Sequence, residues 1–453
     1  MKSEFSGHKV FRFLPFCLLV FLPLEGQSQP SWTLTQCIDH ALAHNISIKQ
    51  YENQLRQREV QLSNAKNQRL PDLSASASQS FSFGRGLTAD NTYTNRSTSS
   101  TSFSLGTSVP LFTGFRIPNN VRLNQLNLEA ATADLEKARN DIRMQVAQAY
   151  VQILYDMEIA DVARRQIAID SAQVTRLQVM LNLGKASEAQ LSQQKATLAQ
   201  SQLTATQADN NTQLALLNLS QLLELDSPDG FSIVRPDVEH VGRIVANADV
   251  PTPDAIFSEA LTTRPEITSE NLRLKMAEKN ILLAKADLYP TISFSAGLGS
   301  NYYKTSGFPA ETFGTQMKNN FSQYLGFNMN IPIFSRFQTQ NSIKNARIDR
   351  ENQLLSLDNT KKSLYKEIQQ AYYNTIAAQQ KLSSSRQACQ SAADAYRLTT
   401  AKYEQGKASI TEFNEQKNIY LRAESDLTQA RYEYLYQMAL IRFYRGQDMT
   451  IDH

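Results

Sequence analysis

Val109-Pro-Leu-Phe-Thr-Gly-Phe and Ile331-Pro-Ile-Phe-Ser-Arg-Phe are two segments, 222 positions apart, that share one order of apolar, proline and aromatic residues. The same spacing separates Gly184-Lys-Ala-Ser from Gly406-Lys-Ala-Ser, where all four residues are identical. Matched segments that recur in the same order are the sequence signature of an internal repeat. The chain is therefore predicted to contain two copies of one structural unit.

The boundaries of the two copies follow from a further match upstream of these segments. Leu70-Pro-Asp-Leu-Ser matches Tyr289-Pro-Thr-Ile-Ser at a spacing of 219, so the second copy has gained three residues before the next landmark, as insertions in surface loops allow. We assign residues 27–225 to the first repeat and residues 253–445 to the second. Residues 226–252, which hold three prolines and two glycines, are predicted to form the linker.

Each repeat contains a section in which apolar and polar residues alternate with a period of two. In the first repeat, leucine, alanine and phenylalanine alternate with serine. Such alternation is typical of strands with one apolar and one polar face. It predicts a β-hairpin over about residues 70–112 and another over about 289–334, with polar tips at residues 84–96 and 301–320. The strands, about 10 to 13 residues long, are close to the roughly 9–11 residues that a tilted membrane strand needs.

Most of the remaining sequence in both repeats is predicted to be helical. No internal proline or glycine interrupts the stretch from about Pro118 to Leu183 or residues 338–405, and apolar residues recur there at helical spacing. Each of these two helices is expected to extend about 100 Å at 1.5 Å per residue. Shorter partner helices are predicted over residues 33–68, 187–225, 253–288 and 409–445. Their narrow, alanine-rich stripes are typical of closely packed coiled coils.

Four amphipathic strands per chain are too few to close a membrane barrel alone, because the smallest such barrels have about eight strands. An open sheet edge in lipid would leave unpaired backbone groups at a high free-energy cost. A homo-oligomer is therefore expected to supply the missing strands, with leucine and phenylalanine toward lipid and serine toward a water-filled lumen. The predicted fold is mainly α with membrane β-strands, and its barrel continues into a tube of long helices.

The N-terminal residues have the layout of a secretory signal peptide. Three basic residues, the last of them Arg12, precede a 12-residue apolar run at residues 13–24, and a short polar stretch follows. As a helix, that run would rise only about 18 Å, less than the roughly 30 Å of a bilayer core. We therefore assign residues 1–26 to a leader that directs export. At the other end of the chain, residues 446–453 follow the second repeat and are assigned to a C-terminal tail.

Charge and reactive side chains argue against several classes of protein. The chain carries 46 Lys and Arg against 43 Asp and Glu, a net charge of +3, which disfavours a general nucleic-acid binder. Cys37 and Cys389 are too few and too far apart to form a disulfide framework. His40 and His44 share a helical face but lack a third ligand nearby. We expect them to be surface histidines, and we expect neither a metal site nor a cofactor.

Three other classes of function remain as alternatives. An enzyme is disfavoured because the sequence has no Gly-x-Ser-x-Gly motif, no phosphate-binding loop and no further histidine cluster. An envelope-anchored coiled-coil scaffold without transport activity accounts for the long helices but not for the four serine-alternating strands. A stand-alone porin accounts for the strands but not for the helices.

The ordered combination of these segments resembles the TolC-type outer-membrane efflux proteins. The resemblance covers about residues 32–445 and includes an opening Trp32-Thr-Leu-Thr-Gln-Cys-Ile-Asp-His-Ala-Leu that is similar to the mature N-terminus of that family. It implies a homotrimer in the outer membrane of a Gram-negative bacterium, with a 12-stranded β-barrel, four strands per chain, above a 12-helix periplasmic tunnel. It also implies a passive exit duct, surrounded by outer-membrane lipid and recruited by a periplasmic adaptor (membrane fusion) protein and an inner-membrane pump, for efflux or type I secretion.

By position, the two Gly-Lys-Ala-Ser turns match the helix tips that meet the adaptor in that family. The residues concerned are Gly184, Lys185, Ala186 and Ser187 in the first repeat and Gly406, Lys407, Ala408 and Ser409 in the second. From the residues alone, each turn is also a tight connection in which glycine ends one helix and serine caps the next. Adaptor contact and a purely structural turn both remain open, and one residue can serve both.

Further residues match positions at the family's periplasmic aperture. Tyr403 matches a tyrosine that helps to hold the closed state, and Glu412 and Glu415 match acids that bind cations in a ring. The two acids share a helix face, but the first turn of any solvated helix also favours acids, so both interpretations stay open. Ala408 and Gln190 depart from the family, since they stand where relatives have a gating arginine and its acidic neighbour. The cargo is not indicated, because a passive duct takes its specificity from its pump.

Overall fold

The computed structural model describes residues 31–87, 90–235 and 250–449. The predicted leader, residues 1–26, lies outside these ranges, as do the middle of the linker and the last four residues of the tail. The described part of the chain is mostly helical with four antiparallel strands, which confirms the predicted fold class.

The elements of the first repeat recur in the second in the same order. Those of the first are α1 (Leu34–His44), α2 (Ile46–Asn67), β1 (Ser74–Leu87), β2 (Tyr93–Thr113), α3 (Arg116–Asn182) and α4 (Glu188–Leu222). Those of the second are α5 (Pro253–Thr263), α6 (Pro265–Ala286), β3 (Thr291–Thr305), α7 (Phe313–Asn319), β4 (Ser322–Asn330), α8 (Gln338–Glu404) and α9 (Ile410–Tyr444). In the described ranges, the second repeat differs by the short helix α7, which interrupts its hairpin.

The strands form one antiparallel sheet in the order β1-β2-β3-β4, so the hairpins of the two repeats meet along β2 and β3. β1 has 14 residues and β2 has 21, more than the sequence predicted, because both strands continue into the segment expected to be a polar tip. The register shifts between Pro110 and Phe112, where the proline has no N–H to donate to the ladder.

The two faces of the sheet differ in the way that the alternation predicted. On one face, hydroxyl pairs bridge neighbouring strands, with 2.8 Å between the Oγ atoms of Ser76 and Ser104 and 2.7 Å between those of Ser78 and Ser102. On the other face, large apolar side chains are exposed. They include Phe81, Phe83, Phe103, Leu105, Leu298, Leu325, Phe327 and Met329. A contiguous exposed apolar face indicates contact with lipid or with another chain.

The tip of the second hairpin holds helix α7, so the prediction of a polar loop there is wrong. Thr312 caps this helix by accepting a hydrogen bond at Oγ1 from the Thr315 N–H. Gln316 then bonds to the backbone of Tyr303: its Oε1 accepts from the N–H at 3.1 Å, and its Nε2 donates to the carbonyl oxygen at 3.0 Å. β4 begins only at Ser322 and therefore does not pair with this end of β3. The Gln316 amide supplies hydrogen bonds to the β3 backbone there instead.

Each long helix begins directly after the quoted proline-led segment, through residues in the left-handed backbone region. These are Gly114 (φ 61°) and Phe115 (φ 65°) in the first repeat, and Arg336 (φ 50°) and Phe337 (φ 62°) in the second. A side chain would not fit in the first repeat, since a Cβ on Gly114 would lie 2.5 Å from the Ala286 carbonyl oxygen. The second repeat holds arginine at the equivalent position, at a conformational cost of about 1–2 kcal/mol.

Helices α3 and α8 each have 67 residues and extend about 100 Å, which agrees with the predicted length. α4 packs along α3 and α9 along α8, while α2 and α6 pack against α3, and α6 also packs against α8. None of the helices in the described ranges is both long and apolar enough to cross a lipid bilayer.

The helices predicted as single elements ahead of each hairpin are each broken in two. In the first repeat, Asn45 caps α2, because its Oδ1 accepts a hydrogen bond from the Ser47 N–H at 3.0 Å while its Nδ2 donates to the Leu222 carbonyl oxygen at 3.1 Å. In the second, Arg264 is extended before Pro265, which starts α6. The residue before a proline disfavours the helical conformation. The second break was therefore visible in the sequence, whereas the first depends partly on a tertiary contact.

Part of the predicted linker belongs to the main hydrophobic core, which gathers residues of α1, α2, α3, α4, α8 and α9. Phe231 and Ile233 are buried there, and Ile233 forms an isolated parallel bridge with Trp32. Met449, in the predicted tail, is buried in the same core. These residues pack because their large apolar side chains leave water, so the start of the linker is ordered structure rather than a spacer.

Candidate functional site

The two helix-to-helix turns have one backbone geometry. After α3, the N–H groups of Gly184 (φ 69°) and Lys185 donate to carbonyl oxygens in the last turn of the helix, at 2.9 and 2.8 Å. After α8, Gly406 (φ 72°) and Lys407 make the equivalent bonds at 3.0 and 2.8 Å. This pair of bonds is the Schellman motif, which needs a residue in the left-handed region and so favours glycine.

The helices that follow both turns begin with the same capping box. In the first repeat, the Ser187 N–H donates to Gln190 Oε1 at 2.9 Å, and the Gln190 N–H donates to Ser187 Oγ at 3.3 Å. In the second, the Ser409 N–H donates to Glu412 Oε2 at 2.9 Å, and the Glu412 N–H donates to Ser409 Oγ at 3.2 Å. The expected turn, with glycine ending one helix and serine capping the next, is present in both repeats.

The surface of the turns faces away from the rest of the described chain. Ala186 and Ala408 are half-buried. The exposed residues are Gly184, Lys185, Ser187, Gly406, Lys407 and Ser409. A Cβ on either glycine would meet no atom within 4 Å. The glycines therefore serve the backbone conformation, and adaptor contact at the turns stays a prediction.

Tyr403, the tyrosine assigned to the aperture, is buried near the end of α8. Its ring stacks on Phe413 of α9 with 5.0 Å between ring centroids, and the guanidinium carbon of Arg176 on α3 lies 4.8 Å from the Tyr403 centroid. This cation–π contact joins the two repeats. Burial raises the pKa of the Tyr403 hydroxyl, and the positive charge of Arg176 opposes that shift.

The structure places Glu412 and Glu415 together on the exposed side of α9. Glu412 is also the capping acid of that helix, so the interpretation as a first-turn acid applies to it. Phe413 and Lys417 occupy the buried side of the same helix. Gln190 has the capping role in the other turn and is not brought to the two acids by any hydrogen bond among the described residues. Cation binding by the acids stays a prediction.

Behind the second turn lies a buried ion pair that the sequence did not reveal. Lys417 of α9 donates to Asp170 Oδ1 of α3, and both side chains are 0% exposed. Asp170 also accepts hydrogen bonds from Gln194 Nε2 at 3.1 Å and from Ser201 Oγ at 2.6 Å, both on α4. Gln194 Oε1 in turn accepts from Asn414 Nδ2 at 3.0 Å. The network joins three helices that come from both repeats.

A signal for this pair was nevertheless present in the sequence. Lys417 falls between Phe413 and Leu421 at intervals of four residues, which places a charge within an otherwise apolar helical stripe. Such a charge needs a partner, since an unpaired buried charge is very unfavourable. The partner could not be named, because Asp170 lies 247 positions away in the chain.

The polar face of the sheet carries an aromatic ring that lies against the strands. One row of the register joins Ser74, Gly106, Gly297 and Tyr324 across all four strands. The Tyr324 ring covers Gly297, since a Cβ on that glycine would lie 2.5 Å from the ring atom Cε1. The missing side chain therefore lets the ring lie close to the sheet instead of standing away from it.

His40 and His44 stack on each other with 4.1 Å between ring centroids, and Trp32 packs edge-on against His40. Burial and the neighbouring His44 ring lower the pKa of His40. Cys37 is buried and Cys389 half-buried, and no disulfide joins them in the described chain. These residues lie away from both turns along the sequence, and we assign them to the packing of the helices.

A model of the family described as outer membrane efflux protein matches residues 37–224 and 256–447. The outer membrane efflux protein BepC of Brucella suis is 22% identical over 366 residues, which covers 80% of this chain and 74% of the relative. The outer membrane protein TolC of Vibrio cholerae is 23% identical over 326 residues, which covers 71% of this chain and 72% of the relative. The crystal structure of the Campylobacter jejuni CmeC outer membrane channel has a similar fold, with a TM-score of 0.75 at 19% identity over 91% of this chain and 85% of that one.

Proposed function

The chain belongs to the outer membrane efflux protein family, and from that premise we propose that three copies assemble into a passive exit duct served by a periplasmic adaptor and an inner-membrane pump. It is an outer-membrane efflux channel of tripartite efflux or type I secretion systems, with a helical extension into the periplasm. The family is one of channels and not of enzymes, and it implies a trimer that works with efflux partners.

The four-stranded sheet is the observation that supports assembly into a trimer. Its apolar face is exposed in a single chain, serine hydroxyls line the other face, and the outer edges of β1 and β4 pair with no other strand of the described chain. Unpaired strand edges are not tolerated in lipid. If β1 of each copy pairs with β4 of the next, four strands from each of three copies close one barrel, with the apolar face toward lipid and the serine face around water.

The helices extend the duct away from the membrane. α3 and α8 each run about 100 Å from the sheet, so the turns that end them lie far from the barrel. We further propose that the two repeats, residues 27–225 and 253–445, each contribute one hairpin to the barrel and one coiled coil to the tunnel. The parallel order of their elements supports this division.

The exposed turns at residues 184–187 and 406–409 are the proposed contact with the adaptor. Each copy presents two of them, and in both the glycine, lysine and serine are exposed while the hydrogen bonds of the turn are made internally. A partner can therefore bind the exposed lysines without breaking the turn. The same surface is identical in sequence in both repeats, so a single adaptor motif could recognise both.

The assembly is tested with the purified chain in detergent. Native mass spectrometry is expected to give a trimer, circular dichroism a helix-dominated spectrum, and planar bilayers an ion conductance. A monomer or a strand-dominated spectrum would contradict the duct. A folded trimer without conductance would favour the alternative, a coiled-coil scaffold in the envelope.

The adaptor contact is tested with the double variant Lys185→Glu/Lys407→Glu in cells that depend on this chain for export. We expect export to be lost and the trimer to remain, because the change reverses two exposed charges but leaves the glycine and serine of each turn in place. Lys362→Glu, at an exposed lysine within α8, is the matched control and should export normally. Normal export by the double variant would reduce both turns to structural connections.

A further inference from the structure

We propose that the Asp170–Lys417 ion pair is the positioning contact of the periplasmic aperture. It holds α9 against α3 and determines which side of α9 lies exposed near the second turn. The inference rests on the proposed function, because it assigns the acidic side of α9 to the aperture of a duct. Asp170 and Lys417 affect the aperture by fixing the position of α9, and neither residue is assigned a contact with cargo.

Burial makes this contact difficult to open partially. Both side chains are completely excluded from solvent, and both carboxylate oxygens of Asp170 are used, Oδ1 by Lys417 and by one donor of α4, and Oδ2 by a second. A small displacement of α9 that breaks the pair while Asp170 stays buried against α4 would leave a buried charge without its counter-charge, which is strongly unfavourable. Arg165 and Glu424 form an ion pair between the same two helices, but it is partly exposed and solvent weakens it.

The pair also determines the rotation of α9 about its own axis. Phe413, Lys417 and Leu421 are buried at intervals of four residues, so they form the side of α9 that faces the rest of the protomer. Glu412 and Glu415 lie about 140° and 160° around the helix from Lys417, at 100° per residue. With Lys417 bonded to Asp170, the two acids therefore point away from α3.

Two other contacts between the repeats near the second turn do not pair opposite charges. Arg176 reaches the Tyr403 ring by a cation–π contact, and Asn414 reaches Gln194 by a hydrogen bond between neutral groups. Among the ion pairs of the described residues, Asp170–Lys417 is the one in which both side chains are fully buried. Lys417 lies seven residues after α9 begins, about 10 Å along the helix. A substitution at Lys417 therefore reaches the second turn through the first two turns of helix α9.

The experiment compares the ion conductance of purified trimers in planar lipid bilayers. Lys417→Met removes the counter-charge while keeping a long apolar side chain, and we expect a several-fold rise in conductance because α9 loses its fixed position. Arg165→Met is the matched control, since it removes an exposed partner between the same helices, and should leave conductance unchanged. The double variant Asp170→Asn/Lys417→Met should bring conductance back toward the wild-type value, because it leaves no charge buried and keeps an acceptor oxygen for the donors of α4.

Native mass spectrometry of each sample confirms that trimers are compared with trimers. If Lys417→Met trimers conduct like the wild type, or if Arg165→Met raises conductance equally, the pair does not position the aperture, and the inference fails while the duct stands. If Lys417→Met gives no trimer, Asp170→Asn replaces it with the same expectation, because it removes the charge and keeps the shape. If neither the wild type nor Lys417→Met conducts as a trimer, the proposed function itself is overturned.

Discussion

The turns at residues 184–187 and 406–409 have the same residues, the same left-handed glycine and the same capping box, yet the helices behind them are held in different ways. Lys417 of α9 is completely buried against Asp170, whereas Lys195, its equivalent in α4, is exposed. Ala392 stands in the second repeat where the first has Asp170. The repeats therefore share their local backbone chemistry but not their contacts between helices.

The difference shows which interactions a repeated sequence preserves. The bonds of each turn close within six residues, so the same four residues produce the same turn wherever they occur. A contact between helices depends instead on what the neighbouring element presents. α9 meets α3 of the other repeat, and that neighbour supplies the carboxylate that makes a buried lysine possible.

The two equivalent lysines, Lys417 and Lys195, give the most direct test of this difference between the repeats. We expect Lys417→Met to lower the free energy of unfolding by about 3–5 kcal/mol, because removal of one partner leaves the other charge buried and unpaired. Lys195→Met, at an exposed position, should change it by less than about 0.5 kcal/mol. Denaturant unfolding of the trimer in detergent measures both. Equal effects would contradict the view that the repeats are held differently.

Removal of the serine caps tests whether the two turns contribute equally to stability. Ser187→Ala and Ser409→Ala should each lower the free energy of unfolding by about 1 kcal/mol, since each leaves the first N–H groups of a helix without the side-chain acceptor. The same denaturant measurement applies, and the two losses should agree. A loss in one repeat alone would show that the turns differ in spite of their identical residues.

The smallest effect at neutral pH is expected from Tyr432→Phe, in α9. Its hydroxyl has no hydrogen-bond partner within the described residues, so the free energy of unfolding should hardly change. Burial raises the pKa of Tyr432 to about 12, above its ordinary value of 10.0. The folded chain therefore holds this proton more tightly than the unfolded chain, and the corresponding stability is complete below pH 10 and is lost as the pH rises toward 12.

This pH dependence also separates the repeats, because the residue of α4 equivalent to Tyr432 is Asn210, which does not titrate. Thermal unfolding at pH 8 and pH 11 measures it. Tyr432→Phe should lose less stability than the wild type between these two values. An identical loss in both would assign the alkaline instability to other groups, of which Tyr444, with a pKa also raised to about 12, is the first candidate.

The features that the sequence predicted well are those with a short repeat along the chain. Alternation with a period of two identified the strands, and long stretches without proline or glycine identified α3 and α8 nearly to the residue. The features missed depend on distant partners. Helix α7 is stabilised partly by the bonds of Gln316 to the backbone of Tyr303, and the break at Asn45 partly by its bond to Leu222. Neither contact produces a pattern in the sequence around the residues that make it.

The same distinction applies to the candidate site. The two turns were identified from the order and spacing of the duplicated segments, whereas their adaptor contact, the acids Glu412 and Glu415, and Tyr403 were named by resemblance. Arg176, which covers the Tyr403 ring, and Asp170, which binds Lys417, were not named. Both lie on α3, more than two hundred residues before their partners.

The amino-acid order alone determined the duplication, the element types and the two amphipathic faces of the sheet, because hydrogen bonds within a turn, helix or hairpin and the side-chain period of each element are local properties. Tertiary structure decided which charge is buried, which ring is covered and, in part, the break between α1 and α2 at Asn45. Those outcomes depend on the helix or strand that packs alongside, and the free energy of a buried group is determined by that neighbour rather than by its position in the chain.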